Sequence, residues 1–355
     1  MTIVRDCELD GSHGSAWQSI DDGSKGVELE YVSCLNCGAR RFETVVETPD
    51  FETRLGGIFR VVRCEQCDLS FTNPRPTARS IAAFYPSNYS PHEGHHFNTN
   101  RRGRWLRLLE QAVLRSRFGY PPQPVGAGTH ALALLGDFWL RGRRRRAKWL
   151  PFSGLGELLD FGCGAAQFLR QSREWGWSVQ GLDPSPVVAA RVKRETGIRV
   201  HVGSLPHASI GPDSLDAITM WSSLEHVHDP RGVVRAARES LRDGGLLLVY
   251  VPNLASWSFS TFQESWCGLD LPRHLVHFTP PTLLNLLEAE AFRIRSYGQI
   301  GRDGWLRRSA RRAKEHCHRS RLAQSCRWKP LAMLVSRWSE FTSRSDSILV
   351  LAEKN

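Results

Sequence analysis

The chain has 355 residues, of which 41% are hydrophobic and 23% are charged, and its net charge is +11. These values are close to those of ordinary globular proteins, so they exclude a mostly disordered, collagen-like or coiled-coil chain. The length predicts one large domain or two unequal domains.

The N-terminal part and the most apolar stretch of the chain are informative about where in the cell the protein is located. Residues 1–30 are a predicted disordered lead-in, rich in Gly, Ser and Asp, with no apolar run of signal-peptide length. Residues 131–140 are the longest strongly apolar stretch, whereas a transmembrane helix needs roughly 20 such residues. We therefore predict a cytoplasmic protein without a transmembrane helix.

Four of the nine cysteines form two Cys-x-x-Cys pairs, a pattern that indicates a metal site in a chain without a signal peptide. The candidate ligands are Cys34, Cys37, Cys64 and Cys67. Four thiolates leave no open coordination position, so the predicted Zn²⁺ is structural. Residues 41–47 and 58–63 are predicted strands, which makes residues 31–72 a zinc ribbon. Two redox motifs are the alternative, but the helix that usually follows such a motif is not predicted here.

Residues 73–150 are predicted to form a linker and basic amphipathic helices. Lys and Arg outnumber Asp and Glu by twelve to two over residues 101–150 and by thirteen to five over residues 301–355. Such blocks are usually solvated helix faces, but Trp residues among the arginines also suit an anionic membrane surface or RNA. The apolar stretch at 131–140 is unlike an RNA-binding face. We therefore favour peripheral contact with the inner face of an anionic membrane over RNA.

Residues 151–355 alternate predicted strands and helices, which is typical of a mostly parallel sheet with helices on both faces. The seven predicted strands are 155–161, 178–183, 199–204, 215–221, 246–252, 293–300 and 347–353. A basic helical insertion, residues 301–344, separates the last two. One of its helices starts at Pro330 and carries an apolar stripe, as in an amphipathic helix. The stripe consists of Leu331, Leu334, Val335, Trp338 and Phe341.

A glycine-rich turn after the first of these strands is a candidate cofactor site. Gly162 and Gly164 lack a Cβ, so the backbone between the strand and the next helix can approach a ligand closely. Asp183 ends the second strand, where a carboxylate can bind both hydroxyls of a ribose. The alternative is an ordinary turn with a helix-capping Asp.

Four motifs in this order resemble the class I S-adenosylmethionine-dependent methyltransferases. They are Asp160-Phe-Gly-Cys-Gly164, Gly181-Leu-Asp-Pro-Ser-Pro186, Leu224-Glu-His-Val-His-Asp-Pro230 and Leu241-Arg-Asp-Gly-Gly-Leu-Leu-Leu-Val-Tyr-Val-Pro-Asn253. The cysteine ribbon and Asp270-Leu-Pro-Arg-His-Leu-Val-His-Phe278 are similar to bacterial members with a zinc-binding extension, which often belong to glycan, lipid or secondary-metabolite pathways. The resemblance implies an enzyme with a Rossmann-like α/β fold, a mostly parallel seven-stranded sheet and S-adenosyl-L-methionine as cofactor.

The resemblance also implies roles for the residues around the turn. Asp160 would lie near the amino group of the cofactor, the loop at Gly162 and Gly164 along its methionine part, and Asp183 at its ribose. Ala166 stands where the family usually has glycine, and this departure predicts weaker cofactor binding.

Two further pairs of residues match positions that contact the rest of the cofactor in the family. Ser204 and Leu205 would contact the adenine. Trp221 and Ser222, at the end of the fourth strand, would border the methyl donor.

Methyl transfer to a hydroxyl needs a group that removes the hydroxyl proton, and the ordinary pKa of histidine suits this task near neutrality. His277 and His274 follow the fifth strand and are the first candidates, with His226 as the weaker one. The alternative is that the first two are structural hydrogen-bonding residues in a polar turn and that Glu225 and His226 cap a helix end.

The leading functional hypothesis is an enzyme that methylates a hydroxyl, with a carbon as second choice, of a small molecule or of a sugar, including a lipid-linked sugar. An RNA methyltransferase is the first alternative, although Trp221-Ser-Ser-Leu224 lacks the Asn/Asp-Pro-Pro-Tyr motif of enzymes that methylate exocyclic base amines. The second alternative is a non-catalytic protein with a cofactor-binding fold that serves as a docking surface.

Overall fold

The computed structural model describes residues 18–19, 27–55, 57–85, 112–115, 118–120, 150–315 and 324–355. The predicted helix at residues 131–140, most of the predicted lead-in and most of the predicted linker lie outside the described residues. Within the described part, no helix combines the length and the apolar character that crossing a bilayer requires.

Strands and helices of the described residues follow one another in chain order. The strands are β1 (Gln18–Ser19), β2 (Glu28–Glu30), β3 (Phe42–Pro49), β4 (Ile58–Cys64), β5 (Ser70–Thr72), β6 (Arg75–Pro76), β7 (Glu157–Phe161), β8 (Ser178–Asp183), β9 (Arg199–Val202), β10 (Leu215–Trp221), β11 (Leu241–Pro252), β12 (Val276–His277), β13 (Phe292–Ile300) and β14 (Ser347–Lys354). The α-helices are α1 (Gln167–Glu174), α2 (Pro186–Thr196), α3 (Pro230–Ser240), α4 (Trp257–Phe262), α5 (Pro280–Ala289), α6 (Asp303–Glu315) and α7 (Lys329–Phe341).

Seven strands form the central sheet, in the order β13-β14-β11-β10-β7-β8-β9. From β9 to β11 all neighbours are parallel, and β14 runs antiparallel to both β11 and β13. The predicted Rossmann-like, mostly parallel seven-stranded sheet is therefore confirmed. The chain reverses its direction of travel across the sheet between β7 and β10, and ligands bind at such a switch point, beyond the carboxyl ends of the strands.

Alternate residues of the inner strands pack on opposite faces of this sheet, as a strand period of two requires. Leu158 of β7 lies in a cluster with Leu169 of α1 and Val188 of α2. Leu159, the next residue, lies in the other cluster, with Val234 of α3 and Leu286 of α5. This burial on both faces explains why β7 and β10 carry apolar side chains on both faces of the sheet.

The cysteine ribbon shares a sheet with the methyltransferase-like part of the chain. Its sheet has the order β12-β5-β4-β3, and β12 comes from the loop after β11. Val276 pairs with Phe71 and His277 pairs with Ser70 in an antiparallel ladder. The sequence predicted β3 and β4 but not this fourth strand.

A buried arginine joins the two parts a second time. Arg273 contacts Asp50, which follows β3, with nitrogen–oxygen distances of 2.9 and 3.1 Å, and its Nη2 also donates to Asp270 at 2.9 Å. Its Nη1 donates to the carbonyl oxygen of Phe84 at 2.8 Å. Because a buried charge is costly unless it is paired, these contacts fix the ribbon against the loop that carries the candidate histidines.

Candidate active site and metal site

The sulfur atoms of the four ribbon cysteines form a compact cluster, all within 4.8 Å of one another. Cys34 Sγ lies 3.4 Å from Cys67 Sγ, and Cys37 Sγ lies 3.6 Å from Cys64 Sγ. In a tetrahedral site with Zn–S bonds of about 2.3 Å, neighbouring sulfurs are about 3.8 Å apart. The donor set therefore fits a closed four-thiolate zinc site.

The two cysteine turns have the same backbone hydrogen bonds. The amide of Gly38 donates to the carbonyl of Cys34 at 2.9 Å, and the amide of Asp68 donates to the carbonyl of Cys64 at 3.0 Å. Gly38 and Asp68 both have left-handed backbones, with φ of +75° and +59°. Each turn thus curls its pair of thiols towards the other pair.

The glycine-rich turn after β7 is pressed against the end of β10. A Cβ on Gly162 would lie 2.5 Å from the Cβ of Ser223, and Gly162 has a φ of +71°, so a larger residue is excluded at this position. The amide of Gly164 donates to Asp183 Oδ2 at 2.9 Å, and the amide of Ser185 donates to Oδ1 at 2.9 Å. These bonds hold the carboxylate of Asp183 beside the turn.

Asp160, at the carboxyl end of β7, is a buried carboxyl group without a cationic partner among the described residues. Thr219 Oγ1 donates to its Oδ1 at 2.7 Å. Burial raises the pKa of Asp160 to about 7, and the nearby charge of Asp183 adds to the effect, while the Thr219 hydrogen bond opposes it. The end of β7 is therefore an electronegative site suited to a bound cation.

Of the three candidate histidines, His277 is the one held within the ribbon sheet. It is buried in β12, and its Nε2 lies 3.1 Å from Thr72 Oγ1 of β5. The hydroxyl of Thr72 in turn donates to the carbonyl of His274 at 2.7 Å. Burial lowers the pKa of His277 to about 3, which keeps it neutral.

His274 and Glu225 form a buried pair behind the end of β10. The Nδ1 of His274 lies 2.9 Å from the carbonyl oxygen of Gly268, so Nδ1 carries the proton and Nε2 is an acceptor. This Nε2 lies 3.9 Å from Glu225 Oε1. Burial raises the pKa of Glu225 to about 8 and lowers that of His274 well below its usual value. The carboxyl oxygens of Glu225 are buried, and no hydrogen bond to another residue is found for them in the described part of the chain.

His226 is partly exposed and stands in front of this pair. Its ring centroid lies 4.6 Å from that of His274, with the two planes at 80°. Its Nδ1 lies 3.0 Å from the carbonyl oxygen of Arg273 and 3.0 Å from the hydroxyl of Tyr85. The structure thus brings His226 and His274 together with Glu225, while His277 faces the ribbon.

Tyr85 is a residue of this site that the sequence analysis missed, because it lies in the predicted linker. Burial raises the pKa of its hydroxyl, and the charges of Asp270, Glu225 and Asp183 add to this effect while Arg273 opposes it. The Tyr85 hydroxyl lies 3.0 Å from Nδ1 of His226, so Tyr85 belongs to the same group of side chains. No sequence motif marks this position.

Comparison with known proteins decides the family. A model of the methyltransferase domain family matches residues 98–297, more than half of the chain. The chain belongs to this family. Together with the strand order and the glycine-rich turn, this match confirms the class I S-adenosylmethionine-dependent methyltransferase domain that the motifs predicted.

Curated relatives of this methyltransferase domain include ubiquinone biosynthesis O-methyltransferases. That of Aliivibrio fischeri is 28% identical over 151 residues, which are 39% of this chain and 64% of the relative. That of Xanthomonas euvesicatoria is 33% identical over 129 residues, 34% of this chain and 54% of the relative. The chain thus matches less than two thirds of the length of these relatives. A solved S-adenosylmethionine-dependent methyltransferase from Mesorhizobium loti is 23% identical, with a TM-score of 0.42, and the match covers 60% of this chain and 96% of that one.

The residues of the methyltransferase domain fit S-adenosylmethionine. The ammonium group of the cofactor is the kind of cation that the buried Asp160 lacks, and the turn at Gly162 leaves its backbone uncovered by a Cβ. Ala166 is fully buried with φ of +55° and begins α1, so it adopts the left-handed conformation that favours glycine.

The remaining predicted cofactor residues lie at the same edge of the sheet. The ring of Trp221 lies between Phe168 and Tyr250, with centroid distances of 5.3 and 5.6 Å. Its indole N–H is buried without a partner among the described residues, and the next residue, Ser222, has φ of +49°. After β9, Ser204 is exposed and Leu205 is buried.

Proposed function

We propose that the chain transfers a methyl group from S-adenosylmethionine to a hydroxyl of a small molecule or of a sugar, including a sugar carried on a lipid, with His226 as the base. The observation that carries this proposal is the position of His226, which is half-buried and in ring contact with His274 of the Glu225–His274 pair. It follows Ser223, the residue on which Gly162 of the glycine-rich turn packs, by three positions. The names of the relatives, which are O-methyltransferases, support a hydroxyl of a small molecule as the acceptor.

The tautomer of His226 supports its role as a base. A carbonyl oxygen can only accept, so the contact with Arg273 requires the proton of neutral His226 to be on Nδ1. Nε2 then carries the lone pair that can take the proton of an acceptor hydroxyl. His277 is less suited, because its Nε2 already faces Thr72 inside the ribbon sheet.

The carboxylate of Asp270 favours the protonated form of His226 during the reaction. Burial would raise the pKa of Asp270, but the charge of Arg273 and its hydrogen bond hold that pKa well below the usual range. Asp270 is therefore an anion near the imidazolium that forms, and His274 and Glu225 act as positioning residues.

When bound, S-adenosylmethionine supplies the electrophilic methyl group. In this proposal Asp160 binds the cofactor ammonium group, Asp183 binds the ribose hydroxyls and the Trp221 ring borders the methyl donor. These residues align the methyl group with the acceptor oxygen, and alignment and deprotonation are the main tasks of the protein in such a displacement.

The four ribbon cysteines are proposed to hold one structural Zn²⁺. The sulfur distances and the matching turns support this, and a closed thiolate shell gives the ion no part in proton transfer or methyl activation. Metal analysis of the purified chain is expected to give one zinc per chain.

The test follows tritium-labelled methyl groups from S-adenosylmethionine into lipid, small-molecule and RNA fractions of a cell extract. His226→Gln is expected to lower transfer at least about a hundredfold while the affinity for S-adenosylmethionine, measured by calorimetry, is retained. The control, His228→Gln, changes a histidine two residues away whose Nε2 lies 3.0 Å from the carbonyl oxygen of Pro76.

Each other outcome contradicts a different part of the proposal. Label in a nuclease-sensitive fraction would show an RNA acceptor instead of a hydroxyl of a small molecule. Undiminished transfer by His226→Gln would exclude the base. Failure to bind S-adenosylmethionine, with Asp183→Ala no different, would favour a docking protein without catalysis.

A further inference from the structure

Helix α7 faces the rest of the protein with its small residues and faces solvent with its large apolar ones. The inward residues Ala332, Ser336 and Ser339 are buried. A Cβ on Gly301 would lie only 2.5 Å from the carbonyl oxygen of Ser336, so this face is packed against backbone. The predicted apolar stripe is therefore divided. Val335 packs against the core, whereas Leu334, Trp338 and Phe341 are exposed, although the Trp338 ring also contacts that of Trp257.

The outer face exposes an unusual amount of apolar surface. The exposed fractions are 64% for Leu334, 47% for Trp338 and 87% for Phe341, which lie four and three residues apart on one side of the helix. Trp328, just before the helix, is 66% exposed and Met333 is 40% exposed. A cluster of this kind on one helix is typical of an interaction surface, whereas single exposed apolar residues are ordinary.

The charges around this face have one sign. Lys329 and Arg337 lie on the exposed part of the helix, and Arg327 and Arg344 lie just before and after it. The acidic residue of the helix, Glu340, turns inward, and its Oε1 accepts a hydrogen bond from the amide of Gly301 at 3.1 Å. The outer face therefore combines Trp, Phe and Leu with cations, the composition of helices that lie in a membrane interface.

Charge also distinguishes between occupants of this face. Two copies of α7 packed against each other would bring their Lys329 and Arg337 side chains together, which is unfavourable. An anionic lipid surface pairs with these cations while it takes up the apolar side chains, and arginine or lysine can extend to the headgroups.

We propose that the outer face of α7 binds the surface of an anionic lipid bilayer. Leu334, Trp338 and Phe341 enter the boundary between headgroups and acyl chains, and Lys329 and Arg337 lie among the lipid phosphates. The helix lies in the plane of the interface and does not span the bilayer. This binding does not depend on methyl transfer or on the identity of the acceptor.

The experiment is flotation of the purified full chain with vesicles of phosphatidylcholine, with and without phosphatidylglycerol at about one lipid in three. The chain is expected to float with the anionic vesicles at about 0.1 M salt and to be released in large part at about 0.5 M. Lys329→Gln with Arg337→Gln is expected to weaken binding by about twenty-fivefold, since each cation contributes about fivefold.

The apolar part is tested by Leu334→Ser with Phe341→Ser, which is expected to lower binding to anionic vesicles at least about tenfold. Its matched control is Leu155→Ser with Ile58→Ser, which removes two equally exposed apolar side chains elsewhere and leaves binding unchanged. Affinity for S-adenosylmethionine serves as the check that both double variants are folded.

Two results would overturn the proposal. The first is that the wild-type chain and the variant with Leu334→Ser and Phe341→Ser float equally with anionic vesicles. The second is that the wild-type chain does not bind vesicles and is a dimer by sedimentation, while the same variant is a monomer. A second copy of the chain would then be the partner that covers this face.

Discussion

The buried carboxyl group of Asp160 is expected to lower the free energy of unfolding of the ligand-free chain. The same group is expected to increase the affinity for the cofactor. In the folded chain the pKa of Asp160 is raised to about 7, mainly by burial, from its ordinary value of 3.8. Between these two pH values the folded chain retains a proton that the unfolded chain has lost, so the free energy of unfolding falls as the pH rises. Asn at this position carries no charge at any pH and can still accept the hydrogen bond of Thr219.

The size of the effect follows from the difference of about three pKa units. One unit corresponds to about 1.4 kcal/mol, so ionisation of Asp160 costs about 4 kcal/mol at a pH of about 8 and about half as much at a pH of about 5.5. Asp160→Asn is therefore expected to raise the free energy of unfolding by these amounts. The same variant loses the charge that attracts the ammonium group, so the affinity for S-adenosylmethionine should fall at least about tenfold.

Urea unfolding of the zinc-loaded chain, followed by tryptophan fluorescence at both pH values, measures the first effect, and calorimetric titration measures the second. The control is Asp216→Asn, a buried carboxylate at the other end of the sheet that accepts from the amide of Glu157 at 2.9 Å and pairs with Arg242 at 2.9 Å. This control should lose stability. If Asp160→Asn is no more stable than the wild-type chain at a pH of about 8, the reasoning is wrong.

Three more predictions concern the ribbon, the turn and the buried arginine. Removal of zinc with a chelator should lower the thermal midpoint and expose all four ribbon cysteines to a thiol reagent; unchanged reactivity would contradict a metal site. Ala166→Gly should raise the free energy of unfolding by about 1 kcal/mol in urea, because φ is positive there, whereas Ala165→Gly should lower it. Asp50→Asn should lower the free energy of unfolding in urea by about 3–5 kcal/mol, because Arg273 loses a buried partner. The exposed pair of Glu47 and Arg60 is the comparison, and Glu47→Gln should change the free energy of unfolding by less than about 1 kcal/mol. Equal losses for Asp50→Asn and Glu47→Gln would contradict the larger role of the buried pair.

The central sheet could be predicted from the sequence because its strands are local patterns. Each of the seven predicted strands overlaps an observed one, and the glycine-rich turn follows β7 as the motif requires. The observed β11 begins at Leu241, five residues earlier than predicted. The prediction was late because the sequence Asp243-Gly-Gly245 is typical of a turn. In the structure Leu241 pairs with Leu215 and Leu246 with Ala217, so these residues form an irregularity within the strand.

The contact between the ribbon and residues 270–278 could not be predicted, because it depends on residues far apart in the sequence. Val276 and His277 form a strand of only two residues, too short for any periodic pattern. The pairing of Arg273 with Asp50 spans more than two hundred residues. The outward orientation of α7 was also hidden, since an apolar stripe has the same sequence pattern whether it faces a core or a solvent-exposed surface.

The ribbon therefore contacts the residues around the proposed base more than it contacts the glycine-rich turn that is proposed to bind the cofactor. Thr72 of β5 contacts His277 and the carbonyl of His274, and Asp50 holds Arg273, whose carbonyl in turn orients His226. The cofactor turn, in contrast, is fixed by Asp183 and by the packing of Gly162 on Ser223, within the methyltransferase domain itself. Damage to the ribbon is thus expected to misplace the proposed base while leaving the cofactor contacts intact.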